Sequence, residues 1–265
     1  MRRSGKGTAL ITGASSGIGA AFARRLAREG YDLVITGRRE QLLADLAREI
    51  GSSSPAKVET VIAELSADRD LEALLETIHG RDVSALVNNA GYGQKKSFLE
   101  DSIENQVQMV QVHVLAAMRL AYAVVPGMIE RGGGIIINVS SMASFFPLPR
   151  NCTYCSTKAF LRIFSETLHI ELRRYGILVQ AICPGFTRTD FHARMGTARW
   201  ERFAKNVLWM DAAEVARISL RTLGNGKVIC IPGAFNKFLA TLRFAIPKRA
   251  YYRMVSRAHS RFAGK

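Results

Sequence analysis

The chain predicts a doubly wound α/β fold, a mostly parallel sheet with helices on both faces. Three observations carry that expectation. Short apolar runs alternate with segments of helical periodicity, and a strand that returns through a helix must pair in parallel. The first apolar run opens directly into a glycine-rich turn followed by a helix. At 265 residues and 48% hydrophobic content, the chain can bury the core of one large domain.

Thr8 to Thr12 reads as a short buried strand, and Thr12-Gly13-Ala14-Ser15-Ser16-Gly17-Ile18-Gly19 as the turn. Ala21, Phe22 and Leu26 continue it at helical spacing. Strand, glycine turn and helix N-terminus together make an anion site, because free backbone N–H groups and the helix dipole favour phosphate there. Gly13 permits the tight turn, Gly17 the approach of a ligand, and Gly19 close packing of helix on strand. The backbone of Ser15, Ser16 and Ile18 belongs to the same cradle.

The next strand, Asp32 to Thr36, ends at Gly37-Arg38-Arg39. Dinucleotide sites that select NAD place an acid here to hold the ribose 2′-hydroxyl. This chain has glycine and then two cations that suit a 2′-phosphate, so NADP(H) is the expected cofactor. Leu42, Leu43, Leu46 and Ile50 form the following helix, Val58 to Ala63 the third strand, and Glu64-Leu65 the turn beyond it. After the helix of Leu71, Leu74 and Ile78 comes the strand Ala85 to Val87, which ends in Asn88-Asn89-Ala90-Gly91. Residues 103 to 130 read as a long helix that Pro126 should bend or end. A glycine-rich loop precedes the fifth strand, Ile135 to Val139.

Ser141 lies just past that strand, and a helix starting near Cys152 would put Tyr154 and Lys158 on one face, one turn apart. A phenol with a pKa of about 10 is a poor acid–base group near neutrality. A neighbouring ammonium is expected to lower that value, and Ser141 to supply a hydrogen bond.

Five motifs in this order resemble those of the short-chain dehydrogenase/reductase family: Thr12-Gly-x-x-x-Gly17-x-Gly19, Asn88-Asn89-Ala90-Gly91, Asn138-Val139-Ser140-Ser141, Tyr154-x-x-x-Lys158 and Pro184-Gly185. The resemblance covers about residues 8 to 231 and implies a Rossmann fold with a mostly seven-stranded parallel sheet. It implies that Tyr154 is the general acid in carbonyl reduction, and that Lys158 lowers its pKa and holds the nicotinamide ribose. Ser141, selected over Ser140 by its spacing from Tyr154, would polarise the substrate oxygen. Asn89, Ala90, Gly91, Pro184 and Gly185 would line the cofactor, with Thr187 or Thr189 on its carboxamide or a phosphate. Where the family commonly adds an asparagine from the long helix, this chain has His113. In the family that residue acts largely through its backbone carbonyl, which histidine also has, so activity is expected to survive. The alternatives are an imidazole proton path or a hydrogen-bonded core histidine.

Residues 1–234 are thus expected to form one dinucleotide-binding and catalytic domain, with a substrate lid at about 189–211. Phe191, Trp200, Phe203 and Trp209 in the lid suit a lipophilic substrate. Asp211 to Glu214 reads as a capping box before the next helix, and Val228 to Ile231 as the last strand. Residues 235–265 form a basic extension. The formal charge is +15, but the first 214 residues hold 26 basic and 22 acidic residues, a net of +4. No acid follows Glu214, and 11 Lys and Arg do. Phe235, Phe238, Leu239, Leu242 and Ile246 recur at helical spacing up to Pro247. Beyond it Tyr251, Val255, Ala258 and Phe262 oppose Arg249, Arg253, Arg257 and Arg261, a pattern that suits an anionic membrane surface; the alternatives are a helix packed on the domain with a solvated basic face and a homodimer contact.

Cys152, Cys155, Cys183 and Cys230 do not form a disulfide framework, which favours a cytoplasmic location, peripheral on the inner membrane surface if the tail binds lipid. No uninterrupted apolar run approaches the length of a membrane-spanning helix, no metal site is expected, and no recognition motif makes the basic tail a specific nucleic-acid reader. The expected function is hydride transfer between NADP(H) and a carbonyl/alcohol pair, on a small lipophilic ketone or aldehyde. The alternatives are a 3-oxoacyl thioester reductase and a non-catalytic NADPH-binding sensor.

Overall fold

The computed structural model describes residues 6–189 and 209–263. Seven strands form one parallel sheet: β1 (Thr8–Thr12), β2 (Asp32–Gly37), β3 (Val58–Ile62), β4 (Val83–Asn88), β5 (Gly134–Val139), β6 (Ile177–Ile182) and, with β7 (Thr187–Arg188) and β8 (Met210–Asp211) lying outside it, β9 (Ile229–Cys230). Their spatial order is β3-β2-β1-β4-β5-β6-β9. The expected fold class is therefore observed. The order reverses between β1 and β4, and the crevice at the carboxyl ends of those strands is where such sheets bind ligands.

Alternation along each strand feeds two cores. Ala9 and Ile11 of β1 face the layer containing Phe22 and Leu26 of α1 (Gly17–Arg28) and Leu43 of α2 (Glu40–Ser53). Leu10 faces the opposite layer, with Leu71 and Leu74 of α3 (Asp68–Ile78) and Leu120 of α5 (Ala116–Glu130). Phe22 is fully buried, a contribution of about 1.5–3 kcal/mol relative to exposure. The two remaining core helices are α6 (Cys152–Leu172) and α7 (Ala212–Gly224).

The long helix reaches Glu130 as expected, so Pro126 does not end it. It departs from expectation in being interrupted earlier, where α4 (Ile103–Val110) passes into a π-turn at Gln111–Leu115 before α5. The Ala116 N–H reaches back five residues to Gln111 O. Such turns insert one residue into a helix and re-aim its side chains, here Val112 and His113. Ile103–Glu130 is long and apolar enough to cross a membrane by length and composition. Val112, Ala116, Leu120, Val124 and Met128 nevertheless pack into the sheet's core, as in an ordinary buried helix.

The capping box does not form. Asp211 stands at the N-cap of α7 without capping it and accepts from Arg188 at 3.1 Å, while Glu214 pairs with Arg217. Beyond β9 lie α8 (Ala234–Ala245) and α9 (Lys248–Ala263). These helices are fastened to the domain: Tyr251 is buried and its hydroxyl donates to Pro147 O at 3.0 Å.

Candidate active site

The glycine turn is built as its sequence implies. Gly17 has φ +58, and a Cβ there would lie 2.8 Å from Thr189 Cγ2. A Cβ on Gly19 would come within 2.5 Å of both Asn89 Nδ2 and Gly13 O, so this glycine allows the helix to sit against the strand ends. Asn89 braces the turn from β4, donating to Thr12 O and Gly13 O at 3.0 Å each. Its neighbour Asn88 turns the other way and donates to Asn138 Oδ1 at 2.9 Å, and Asn138 donates to Ser165 Oγ at 2.9 Å. This buried polar chain ties β4, β5 and α6 together directly beneath the site.

At the end of β2, Arg38 pairs with Glu64 at 2.9 Å. The Arg39 guanidinium turns to the glycine turn, donating to Ser15 Oγ at 2.9 Å and to Ser16 Oγ at 2.6 Å. Two cations, two hydroxyls and the N-terminus of α1, whose N-cap Ser16 makes no side-chain cap bond, fit a phosphorylated nucleotide. A 2′-phosphate suits Arg39 and Arg38, and the residue ending β2 is Gly37 rather than an acid.

Ser141 follows β5 at the N-cap of a short 3₁₀ turn, where its Oγ accepts from Ala143 N at 3.1 Å. It also hydrogen-bonds the Tyr154 phenol, which pulls the phenol's pKa down. Ser140 is buried and donates to Lys158 O at 2.7 Å. Tyr154 and Lys158 share one face of α6, and Lys158 Nζ lies 5.8 Å from the centroid of the Tyr154 ring.

The expected electrostatics are not what these groups have. Burial outweighs the Ser141 bond and pushes the Tyr154 phenol up to about 12. Burial likewise pulls Lys158 down to about 8, and its ammonium donates to Val139 O at 2.9 Å. A cation that is itself costly to keep charged is a weak stabiliser of phenolate.

His113 is fully enclosed by the π-turn, and both its ring nitrogens are engaged. Nε2 accepts from Tyr92 N at 3.0 Å, and Nδ1 lies 2.9 Å from Thr157 Oγ1. Since Thr157 Oγ1 gives its proton to Tyr154 O at 2.9 Å, Nδ1 carries the hydrogen and donates to Thr157. Burial first and Lys158 second hold the imidazole well below the ordinary histidine pKa. The imidazole-relay alternative thus loses support: no ring nitrogen is left to move a proton, and the hydrogen-bonded core histidine is the arrangement present.

One continuous cleft of about 630 Å³ joins these parts. Gly13, Ser15, Ser16, Gly17, Ile18, Arg38, Arg39, Glu64, Leu65, Asn89, Ala90, Gly91, Ser141, Tyr154, Lys158, Pro184, Gly185, Thr187 and Thr189 all line it; Gly19 and His113 do not. Thr187 is buried and donates to Gly185 O at 3.2 Å. Part of the lining is apolar, Phe146, Leu148, Phe186 and Leu239 among it. Leu239 and Asn236 lie on α8, which the sequence alone sets apart as an extension. The signal is present in the spacing of Phe235, Leu239 and Leu242, but nothing there tells a helix packed on a cleft from one packed elsewhere. Of the expected lid, β7 and β8 pair in parallel at its two ends, Phe186 packs on Trp209 at 5.3 Å between ring centroids, and 190–208 lies outside the described residues.

The sequence profile of the short chain dehydrogenase family matches residues 7–200. Among curated relatives, the very-long-chain 3-oxoacyl-CoA reductase of Bos taurus is 27% identical over 93% of this chain and 77% of its own. A short-chain dehydrogenase from Sphingobium yanoikuyae in complex with NADPH superposes with a TM-score of 0.80 at 33% identity, covering 91% of this chain and 97% of its own. The bulky-bulky ketone specific alcohol dehydrogenase of Comamonas testosteroni gives 0.76 at 30% identity, over 98% of this chain and 94% of its own.

Proposed function

Because the chain belongs to the short-chain dehydrogenase family, an oxidoreductase family, we propose that it is an NADP(H)-dependent reductase of lipophilic ketones, with long-chain 3-oxoacyl thioesters as its substrate class. The observation that carries this reading is one cleft lined by two arginines and the glycine turn, by Ser141, Tyr154 and Lys158, and by apolar side chains. A 3-oxoacyl thioester is itself a ketone with an apolar tail, so the relatives' named substrate and the cleft's apolar lining point the same way.

In this reading the nicotinamide supplies the hydride. Ser141 and Tyr154, already hydrogen-bonded to each other, hold the carbonyl oxygen between them. Tyr154, held protonated by burial, is the group that gives its proton to the oxygen as negative charge develops. Lys158 stands one turn further along α6, where its ammonium offsets the negative charge left on the phenol until solvent returns the proton. Arg38 and Arg39 hold the 2′-phosphate, and the turn from Gly13 to Ile18 the pyrophosphate.

The test is NADPH consumption with 3-oxoacyl-CoA substrates of rising chain length beside bulky ketones, with Tyr154→Phe as control. Equal rates in the two proteins would sink the mechanism. Bulky ketones turned over while all thioesters fail would favour the second reading, supported by the Comamonas likeness. Self-association belongs to the same proposal: Leu115, Met118, Tyr122, Ile163 and Ile170 leave an exposed apolar row on α5, α6 and the turn before α5, and sedimentation velocity reads whether it pairs two copies.

A further inference from the structure

The two C-terminal helices have an outer surface that the cleft does not use. On α8, Phe235, Phe238 and Leu242 recur at helical spacing and remain 47%, 60% and 42% exposed. On α9, Tyr252 and Met254 are exposed among Lys248, Arg249, Arg253 and Arg257, all exposed as well. Tyr251 turns inward onto Phe146 and Pro147, so that side of α9 packs on the domain and its basic side stays exposed. What remains outside is a mixture of aromatic, aliphatic and cationic side chains. From residue 235 onward there are eight Lys and Arg and no Asp or Glu.

Both helices are held rigidly beside the apolar lining of the cleft. Phe244 packs edge-on against Phe145, and Tyr251 grips Phe146 and Pro147, so α8 and α9 rest on the same loop, residues 145–148, that supplies Phe146 and Leu148 to the cleft. The Arg243 guanidinium sits over the Tyr251 ring at 4.1 Å and fixes the corner between them. Beside the exposed row, Leu239 and Asn236 of α8 line the cleft itself.

We propose that the outer surface of α8 and α9 docks on an anionic lipid bilayer and sets the apolar lining of the cleft at the membrane. Charge decides the occupant. A second copy would bring Lys248, Arg249, Arg253 and Arg257 against the same cations, whereas anionic headgroups attract each of them, and exposed Phe, Tyr and Met suit the headgroup–acyl boundary. A polyanion such as nucleic acid would satisfy the cations but leave the α8 row of Phe235, Phe238 and Leu242 in water. The surface itself follows from the terminal helices alone; its purpose, to take lipophilic substrate directly from the bilayer, rests on the reductase reading.

The experiment is co-sedimentation of the full chain with vesicles of equal parts phosphatidylcholine and phosphatidylserine, beside vesicles of phosphatidylcholine alone. Two variants accompany it, Lys248→Glu/Arg249→Glu/Arg253→Glu and Phe235→Ser/Phe238→Ser. The full chain should pellet with the mixed vesicles and stay in solution with the neutral ones. Charge reversal should weaken binding at least about a hundredfold, and loss of the two phenylalanines about tenfold or more. Both variants should keep NADPH binding and turnover of a water-soluble ketone, which shows that they fold. Equal partition onto both vesicle types, or variants that bind as the parent does, would overturn the proposal. So would a dimer that Phe235→Ser/Phe238→Ser dissolves in the absence of vesicle binding. A parent that binds vesicles but reduces no ketone would leave the surface standing and remove the reductase reading instead.

Discussion

His113 Nδ1 lies 2.9 Å from Thr157 Oγ1, and Thr157 in turn is bonded to the carbonyl of Tyr154 one turn earlier on α6. The imidazole is thus a strut. It joins the π-turn before α5 to the helix that carries Tyr154, and through Nε2 to the backbone of Tyr92. His113→Asn, too short to make both bonds, leaves a buried hydroxyl or an amide N–H unmet at about 1–3 kcal/mol each. The expected outcome is a lower urea midpoint with turnover reduced less than about tenfold, since the backbone carbonyl is untouched. A collapse of kcat with unchanged stability would give the imidazole a chemical role.

The same residue makes stability depend on pH. In the unfolded chain His113 titrates near about 6.5, while in the fold its pKa lies well below that. The unfolded state therefore takes up the proton first, and the contribution of neutral His113 to stability is fully present above about 6.5 and is lost as pH falls towards the folded value. Urea unfolding of the parent and His113→Gln at pH 7.5 and 5.5 (about one unit either side of that value) should show the steeper decline in the parent. Parallel declines would exclude His113 as the source.

Lys158 predicts the alkaline limb of activity. Its ammonium is pulled down to about 8 by burial, whereas Tyr154 is pushed up to about 12. Carbonyl reduction should thus weaken as pH rises through about 8, where Lys158 loses its proton, long before Tyr154 does. kcat/KM reports groups of the free enzyme, which makes it the quantity to follow. A profile flat to pH 10, about two units beyond that point, would show that the charge on Lys158 is not required.

Arg39 should decide between cofactors. Held by Ser15 and Ser16 over the glycine turn, it is placed for a phosphate, while Arg38 is shared with exposed Glu64. Arg39→Ala removes charge-assisted bonds of about 1.5–3 kcal/mol, so KM for NADPH should rise about 10- to 100-fold and that for NADH barely change. Equal losses for both would assign Arg39 to the loop's structure.

Why some of this is legible in the sequence follows from particular residues. Strand–helix alternation and the glycine turn dictate backbone geometry, so the parallel sheet and the cradle can be read directly. Asn88 and Asn138 can be matched as motif residues, but that one feeds the other inside the core depends on β4 and β5 becoming neighbours. The pKa of Tyr154 departs from expectation because spacing on a helix gives proximity to Lys158 but not the desolvation of both groups. Asn236 and Leu239 escape sequence reasoning for a similar cause: their helix reaches the cleft only through contacts made from Phe244 and Tyr251 to residues about 100 positions earlier.

Leu239 then offers a direct test of substrate length. It lines the cleft and is not among the buried core side chains, so a larger side chain there fills cleft rather than core. Leu239→Trp should leave short 3-oxoacyl substrates nearly unaffected and raise KM for long ones. Each methylene denied burial costs about 0.8 kcal/mol, so displacing two or three of them amounts to about 10- to 50-fold. Equal loss at every chain length would mean that the acyl tail leaves the cleft by another side. A gain for long chains would mean that the introduced indole extends the apolar wall instead of closing it.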